Sequence, residues 1–464
     1  MPFAGQSRRY AEAMADPDLP FRFTVDAREE GVATRFSVCA NDGSPPRDYR
    51  IAQGEPDDYA RFFTALAEDF GTRAPLVSQV VVEGPEPPWR ALLTDNVHPR
   101  ILSGYGDPAV IKVDDGWILV ATSNDAPDAF PILHSRDLAT WAPLGFVFPE
   151  GRTPGWAATG RGQSDYWAPE IARVGDEYWC SFTARSRSGE LAIGLAKAAS
   201  PEGPWLDLGR PLLTGSVIDS HIHVDAAGAP WLVWKRDTNS HWPRPLAGLL
   251  RAQPELIAAM FDEEANRRTA AFCAAIQPWA NTRRPMERYF LMRPLIRAVL
   301  SRWRRVQAVL RDEHAAVDIR AAMTTPILIQ RIDAAGEYLL GEPVQLLAND
   351  RDWEGHLIEG PWLTRQQGRY WLFYAGNDFT SPDYGIGVAV ADDLLGPYVK
   401  AERPLLQSHA QWHAPGHASV SVGVDGEPRL FFHAYHPETG GYNVFRALLT
   451  VGLSFGAEGV RLQP

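Results

Sequence analysis

The 464 residues exceed what one small core organises, and a composition of 45% hydrophobic and 22% charged residues excludes a disordered chain. A formal net charge of −12 argues against nucleic acid as the general partner, because phosphate binding wants a basic face. No apolar run reaches the length of a membrane span, and Met1 to Pro20 carry no signal-like apolar segment, so no membrane partner and a cytoplasmic location are expected.

Cys39, Cys180 and Cys273 are odd in number, far apart and without CxxC spacing, which excludes a disulfide framework and a zinc site and leaves buried free thiols. Residues 1–95 differ in texture from the rest. Segments 21–25 and 34–38 alternate as strands, 57–67 carries apolar residues at helical steps, and 79–82 reads as a further strand. The segment 84–88, Gly-Pro-Glu-Pro-Pro, closes this small α+β module as a linker.

From residue 104 a phrase recurs: an opening beside glycine or proline, an apolar strand, a turn rich in Asp and Gly, and a second apolar strand. It opens at Gly106-Asp107-Pro108, Trp167-Ala168-Pro169-Glu170, Ile218-Asp219-Ser220, Glu359-Gly360-Pro361 and Gly416-His417. A repeat of about fifty residues made of short strands signals a propeller. The expected fold class is therefore all-β, a five-bladed β-propeller over residues 96–464 with the N-terminal α+β module and one α-helical insertion.

That insertion interrupts the third repeat. Its second strand ends near Lys235-Arg236-Asp237 and its third resumes at 326–330. Between them, over 240–322, Ile296, Val299, Leu300, Trp303, Val306 and Leu310 fall at helical steps. If the first strand leaves the funnel mouth and the second returns, the loop between the second and third strands lies at the mouth, so the insertion is expected to overhang it. From His241 to Arg320 it holds about fourteen Arg against about eight Asp and Glu. It reads as a solvated face, as a lid over an anionic or extended substrate, or as the contact of a homo-oligomer.

Inner strands of a propeller converge on one axis, so Asp107, Glu170, Asp219, Glu359 and His417 are expected to meet in a central funnel. Several carboxylates at one mouth repel each other, a cost that an acid/base site exploits. Glycoside hydrolysis uses such a set, with one carboxylate ionised and another kept protonated.

These motifs in this order, with the Asp-Ala-Ala-Gly turn at 225–228 and Trp231-Leu232-Val233-Trp234 after Asp219, resemble glycoside hydrolase family 43, a family of five-bladed β-propeller glycosidases. The resemblance covers about residues 98–460 outside the insertion. It implies an inverting mechanism with Asp107 as general base and Glu359 as general acid. Asp219 would be the third carboxylate, holding the acid in place and keeping its pKa high, although Ser220 stands where the family usually has proline. The resemblance further implies Glu170 as a supporting carboxylate, Trp167 as a ring for sugar stacking and Arg446 within reach of substrate. His417 resembles an axial histidine that lies near a calcium ion or a water cluster; no cofactor is required. Asn124 and Asp125, Arg185 and Asn377, in the mouth loops, are further candidates for sugar contact. His221 and His223 read as facing opposite sides of one strand and not as a metal pair.

The substrate expected is a carbohydrate ending in a pentose or furanose: α-L-arabinofuranose, β-D-xylose or β-galactofuranose. Two readings compete. A retaining fructan- or sucrose-type propeller hydrolase would carry a Trp/Asn-Asp-Pro-Asn phrase, which is absent around Asp107. A carbohydrate-binding propeller without activity has no use for all three acidic positions being filled.

Overall fold

Two stretches far apart in sequence, 1–75 and 240–322, form one unit, and the remaining residues form the other. The computed structural model describes residues 21–52, 56–75, 87–160, 162–238, 241–437 and 439–464; the strand expected at 79–82 lies outside these.

In the first unit, Phe23–Glu30, Ala33–Ala40 and Arg47–Ile51 make an antiparallel sheet that buries Phe23, Phe36 and Val38. Helix Pro56–Phe70 buries Tyr59, Phe62, Phe63, Leu66 and Phe70, the three- and four-residue steps of an amphipathic helix. Three strands and a helix form too small a core to stand well alone. Helix Glu264–Ala280, from the insertion, completes it. The Phe272 ring lies 5.6 Å from Phe23 and 5.8 Å from Phe62, and Trp279 stands edge-on to Phe36 at 4.7 Å. Charges meet along the same contact, Arg268 with Asp42 at 2.8 Å and Arg283 with Glu29 at 2.9 Å. The N-terminal module and the insertion, read from sequence as separate parts, thus share one aromatic core. Acidic groups of the module also match part of the insertion's arginine excess.

Among the described residues the second unit is built from five antiparallel sheets. Their first strands are Ala109–Val113, Trp167–Val174, Val217–Val224, Ile358–Gln366 and His413–Val422. These adjoin in that order and the last meets the first, the closed cycle of a β-propeller. Between neighbouring sheets pack rings such as Phe130, Phe148 and Phe182. In the third sheet Pro230–Arg236 pairs directly with Pro326–Ile332, so the insertion leaves the ladder intact. Arg90–Leu93 falls inside the span read as N-terminal module, yet it pairs with Ala447–Gly456 in the last sheet. The module therefore ends earlier than its composition suggests.

One backbone feature recurs around the cycle. Asp107, Ala168, Asp219, Gly360 and His417 have φ of 52°, 44°, 55°, 56° and 44°. In the last four sheets the pairing register shifts at this point, as at a bulge. A non-glycine residue held there costs of order 1–3 kcal/mol, so the surroundings must hold it. Neighbouring sheets do so through the N–H that the kink turns aside. The N–H of Asp107 donates to His433 Nδ1 (3.0 Å), that of Ala168 to Thr122 Oγ1 (2.7 Å), that of Asp219 to Thr183 Oγ1 (3.1 Å) and that of Gly360 to Asp219 Oδ2 (2.9 Å).

Phe272→Ala removes the ring on which Phe23, Phe62 and Phe63 converge. It should destabilise the first unit by roughly 3–5 kcal/mol, measurable as a lower urea midpoint for that unit.

Candidate active site

The kink aims different side chains into the funnel from each sheet. Asp107 and Asp219 occupy the left-handed position itself, Glu359 stands one residue before it, and Glu170 two residues after Ala168. The acidic openings, equivalent in the sequence repeat, therefore belong to three structural positions. The residues corresponding to Glu359 in the first and last sheets are Gly106 and Gly416. A Cβ on Gly106 would overlap the Arg446 guanidinium, and one on Gly416 would overlap the Tyr384 ring. Each glycine thus leaves space for a side chain that reaches a carboxylate.

Asp107 is held as an anion. Its Oδ2 accepts from Thr122 Oγ1 at 2.6 Å and its Oδ1 from Arg446 Nη1 at 3.0 Å. Burial alone would raise its pKa, but Arg446, followed by His417 and the Thr122 bond, overrides this and holds it well below the usual carboxylate range. His433 Nδ1 accepts the Asp107 N–H, so its proton belongs on Nε2. Burial and the Arg446 charge keep that ring neutral, well below the ordinary histidine value.

Glu359 lies in a different setting. Its Oε1 accepts from Tyr384 Oη at 2.8 Å and its Oε2 from Lys235 Nζ at 3.1 Å. Asp219 accepts the Gly360 N–H, which fixes the backbone next to Glu359. Burial first, then the Glu359 charge, pushes Asp219 well above the usual carboxylate range. Asp107 and Glu359 keep 14% and 11% of their side-chain surface open, whereas Glu170 keeps 2%. The first two can meet a ligand; Glu170 cannot be reached in the same way.

On the axis, Glu170 is raised to about 8 by burial. His417 Nε2 lies 3.6 Å from Glu170 Oε1 and its Nδ1 3.6 Å from Asp107 Oδ1. Burial would lower His417, but Glu170 and Asp107 outweigh it and raise it. A calcium ion takes six to eight oxygen ligands. The described residues hold no group of three or more His, Cys, Asp or Glu side chains that could bind a metal, and the imidazoles of His221 and His417 flank the two Glu170 oxygens. A calcium ion beside His417 would therefore have to draw most of its oxygen ligands from water. His221 and His223 share a face, as residues two apart on a strand do, and both reach the Leu363 carbonyl, at 3.1 and 3.3 Å. Burial lowers them to about 3 and about 4.

The candidate sugar contacts divide. Arg446 sits against Asp107, and Trp167 stands edge-on to Tyr442 at the mouth. The others brace loops. Asp125 Oδ1 accepts backbone N–H groups of Gln163, Ser164 and Asp165, and its Oδ2 accepts from Tyr442 Oη at 3.3 Å. Arg185 pairs with the buried Asp165 at 2.5 Å. Asn124 Nδ2 donates to Ser103 Oγ, and Asn377 Nδ2 to the Trp353 carbonyl. Sequence reading missed Thr122, Thr183, Lys235, His433 and Tyr384. All but Tyr384 lie at or just past the second strand of a sheet, opposite the kink, and only the strand register brings them to it.

Comparison with known proteins agrees with this architecture. The model of the glycosyl hydrolases family 43 matches residues 98–265 and 314–460, together more than half of the chain. A probable arabinan endo-1,5-alpha-L-arabinosidase A of Aspergillus flavus is 30% identical over 154 residues, covering 32% of this chain and 43% of that protein. The chain thus spans less than half the length of that relative. A beta-D-galactofuranosidase, xynD, of Aspergillus niger is 23% identical over 383 residues, covering 78% and 83% of the two chains. Among solved structures, a thermostable family-43 glycoside hydrolase superposes with a TM-score of 0.56 at 24% identity, over 78% of this chain and 93% of the other. That likeness carries the fold, and the family model carries the ancestry: the chain belongs to the glycosyl hydrolases family 43.

Proposed function

We propose that this chain is an inverting glycoside hydrolase that removes pentose or furanose units from the non-reducing ends of oligo- or polysaccharides. One observation carries the reading: two solvent-reaching carboxyls stand in opposite electrostatic settings within one funnel. Asp107 is an anion paired with Arg446, whereas Glu359 lies between Tyr384 and Lys235 beside Asp219, a carboxyl that burial and the Glu359 charge push well above its usual range. Asp107 takes a proton from water as that water's oxygen bonds to the anomeric carbon. Glu359 gives its proton to the glycosidic oxygen as the bond from that oxygen to the anomeric carbon breaks. A single displacement inverts the anomeric centre.

The sugar class draws on the relatives. The Aspergillus niger protein is a beta-D-galactofuranosidase, and others are a xylosidase/arabinosidase 43B of Humicola insolens and a non-reducing end alpha-L-arabinofuranosidase of Bacteroides ovatus. All act on pentoses or furanoses, which are the substrates to try here.

Two measurements test this. Hydrolysis of p-nitrophenyl α-L-arabinofuranoside, β-D-xyloside and β-D-galactofuranoside, followed by proton NMR, should release the inverted anomer first. Asp107→Asn and Glu359→Gln should each lower kcat/KM on oligosaccharides by about 10²–10⁴-fold. A retained anomer, or full activity in either variant, contradicts the mechanism. The pH profile tests the base separately. Arg446 lowers Asp107, so Arg446→Met should move the acidic limb of kcat/KM to higher pH, as the base loses the charge that keeps it ionised in acid.

A further inference from the structure

Lys235 is wholly buried, and its Nζ lies 3.1 Å from Glu359 Oε2. It stands across from Ile218 on the second strand of the third sheet, as Thr183 stands across from Trp167 and His433 across from Gly416. Thr183 and His433 each accept the kinked N–H of the next sheet. Lysine cannot accept a hydrogen bond at all. The corresponding N–H, from Gly360, goes to Asp219, and Lys235 reaches one residue further back, to the Glu359 carboxylate.

Both oxygens of Glu359 therefore face donors, but of unequal kinds. An ammonium only donates, whereas the Tyr384 hydroxyl can donate or accept. A proton on Oε2 would point at the ammonium; a proton on Oε1 finds Tyr384 able to turn and accept it. We propose that Lys235 is a positioning residue that confines the transferable proton to Glu359 Oε1 and neutralises the carboxylate left behind. This rests on Glu359 being the general acid. In the step, the Oε1–H bond breaks, the proton goes to the glycosidic oxygen and the departing sugar leaves with it. Glu359 remains as an anion with Lys235 on Oε2 and the Tyr384 hydroxyl, turned back, donating to Oε1. Tyr384 stays a neutral phenol throughout, since burial and then Glu359 raise it well above its ordinary value.

Among the described residues, the charged and titratable groups that act on this pair or on the groups touching it include Asp219 from the same sheet as Lys235, Asp107, Arg446 beside Tyr384, His417 from the last sheet, and His356, which burial lowers to about 4 against the nearby Asp378. Lys235 is the cation that hydrogen-bonds Glu359 directly and also acts on Asp219.

The test is carboxyl titration by ¹³C NMR in the full chain labelled at Asp and Glu, with pH–rate profiles alongside. In Lys235→Met the proton of the Asp219–Glu359 pair should be lost at a pH roughly 1–3 units higher than in wild type, because an adjacent cation favours the ionised form by about that much. Lys235→Gln, which keeps a donor but not the charge, should shift the same way and decides the matter if Lys235→Met does not fold by circular dichroism. Lys235→Arg should titrate like wild type. The alkaline limb of kcat/KM should rise with the titration, and kcat on unactivated oligosaccharides should fall by about tenfold or more with KM held. An unshifted titration in a folded Lys235→Met or Lys235→Gln protein, or the same shift in Lys235→Arg, overturns the proposal. The NMR readout needs no turnover, so an absence of glycosidase activity counts against the proposed function and leaves this result readable.

Discussion

The kink in each first strand is the constraint on which ring and chemistry both depend. Each first strand stands at the edge of its sheet, so a regular pleat would offer the funnel every second side chain and leave alternate N–H groups without a partner in the sheet. The left-handed residue breaks that rhythm at one point and aims its N–H at a side chain of a neighbouring sheet, which accepts it. The same hydrogen bonds that hold a strained backbone also join consecutive sheets. Where the strained residue is an aspartate, the kink carries a carboxylate to the axis, which is how Asp107 and Asp219 come to face each other across the funnel from distant parts of the chain.

Those two aspartates share a backbone position and differ in everything around it. Asp107 meets a guanidinium and a hydroxyl, both donors, and stays charged despite its burial. Asp219 accepts a backbone N–H, and burial with the Glu359 charge keeps it well above the ordinary range. Burial pushes both the same way, and the sign of the outcome differs because Asp107 has the Arg446 cation hydrogen-bonded to it whereas Asp219 has the Glu359 charge nearby. Glycine decides part of that. Gly106 admits Arg446 to Asp107, and Gly416 admits Tyr384 to Glu359. Here glycine matters for the side chain it lacks more than for the turn it permits.

The all-β class, the repeated phrase and the three acidic positions were legible in the sequence because a propeller repeats one local pattern, and local pattern is what sequence shows. The helices of the insertion were legible from the spacing of Ile296, Val299 and Leu310. Two kinds of feature were not. Lys235 and Thr122 reach the carboxylates only through register across strands, which no spacing along one strand reveals. The shared core of Phe23, Phe36, Phe62 and Phe272 joins residues more than two hundred positions apart, and the sequence records only that each is apolar. Asp125 and Arg185 look like open polar groups in a loop, yet they are engaged by Tyr442, Asp165 and backbone amides.

The union of residues 21–75 with helix Glu264–Ala280 also orders events at the ribosome. The three strands and helix of residues 21–75 are made well before that helix, with Phe23 packed on Phe70 and Phe36 on Phe62 but Phe272 and Trp279 still missing from their other side. The residues that cover them come only after the first two sheets and half of the third have been made. For that interval an aromatic face stays exposed, the kind of surface on which nascent chains associate wrongly or recruit chaperones. The last sheet, in turn, needs Arg90–Leu93 alongside Ala447–Gly456. Both units are therefore completed by segments made much later than the ones they cover, and a ribosome stalled before residue 264 would hold two unfinished structures.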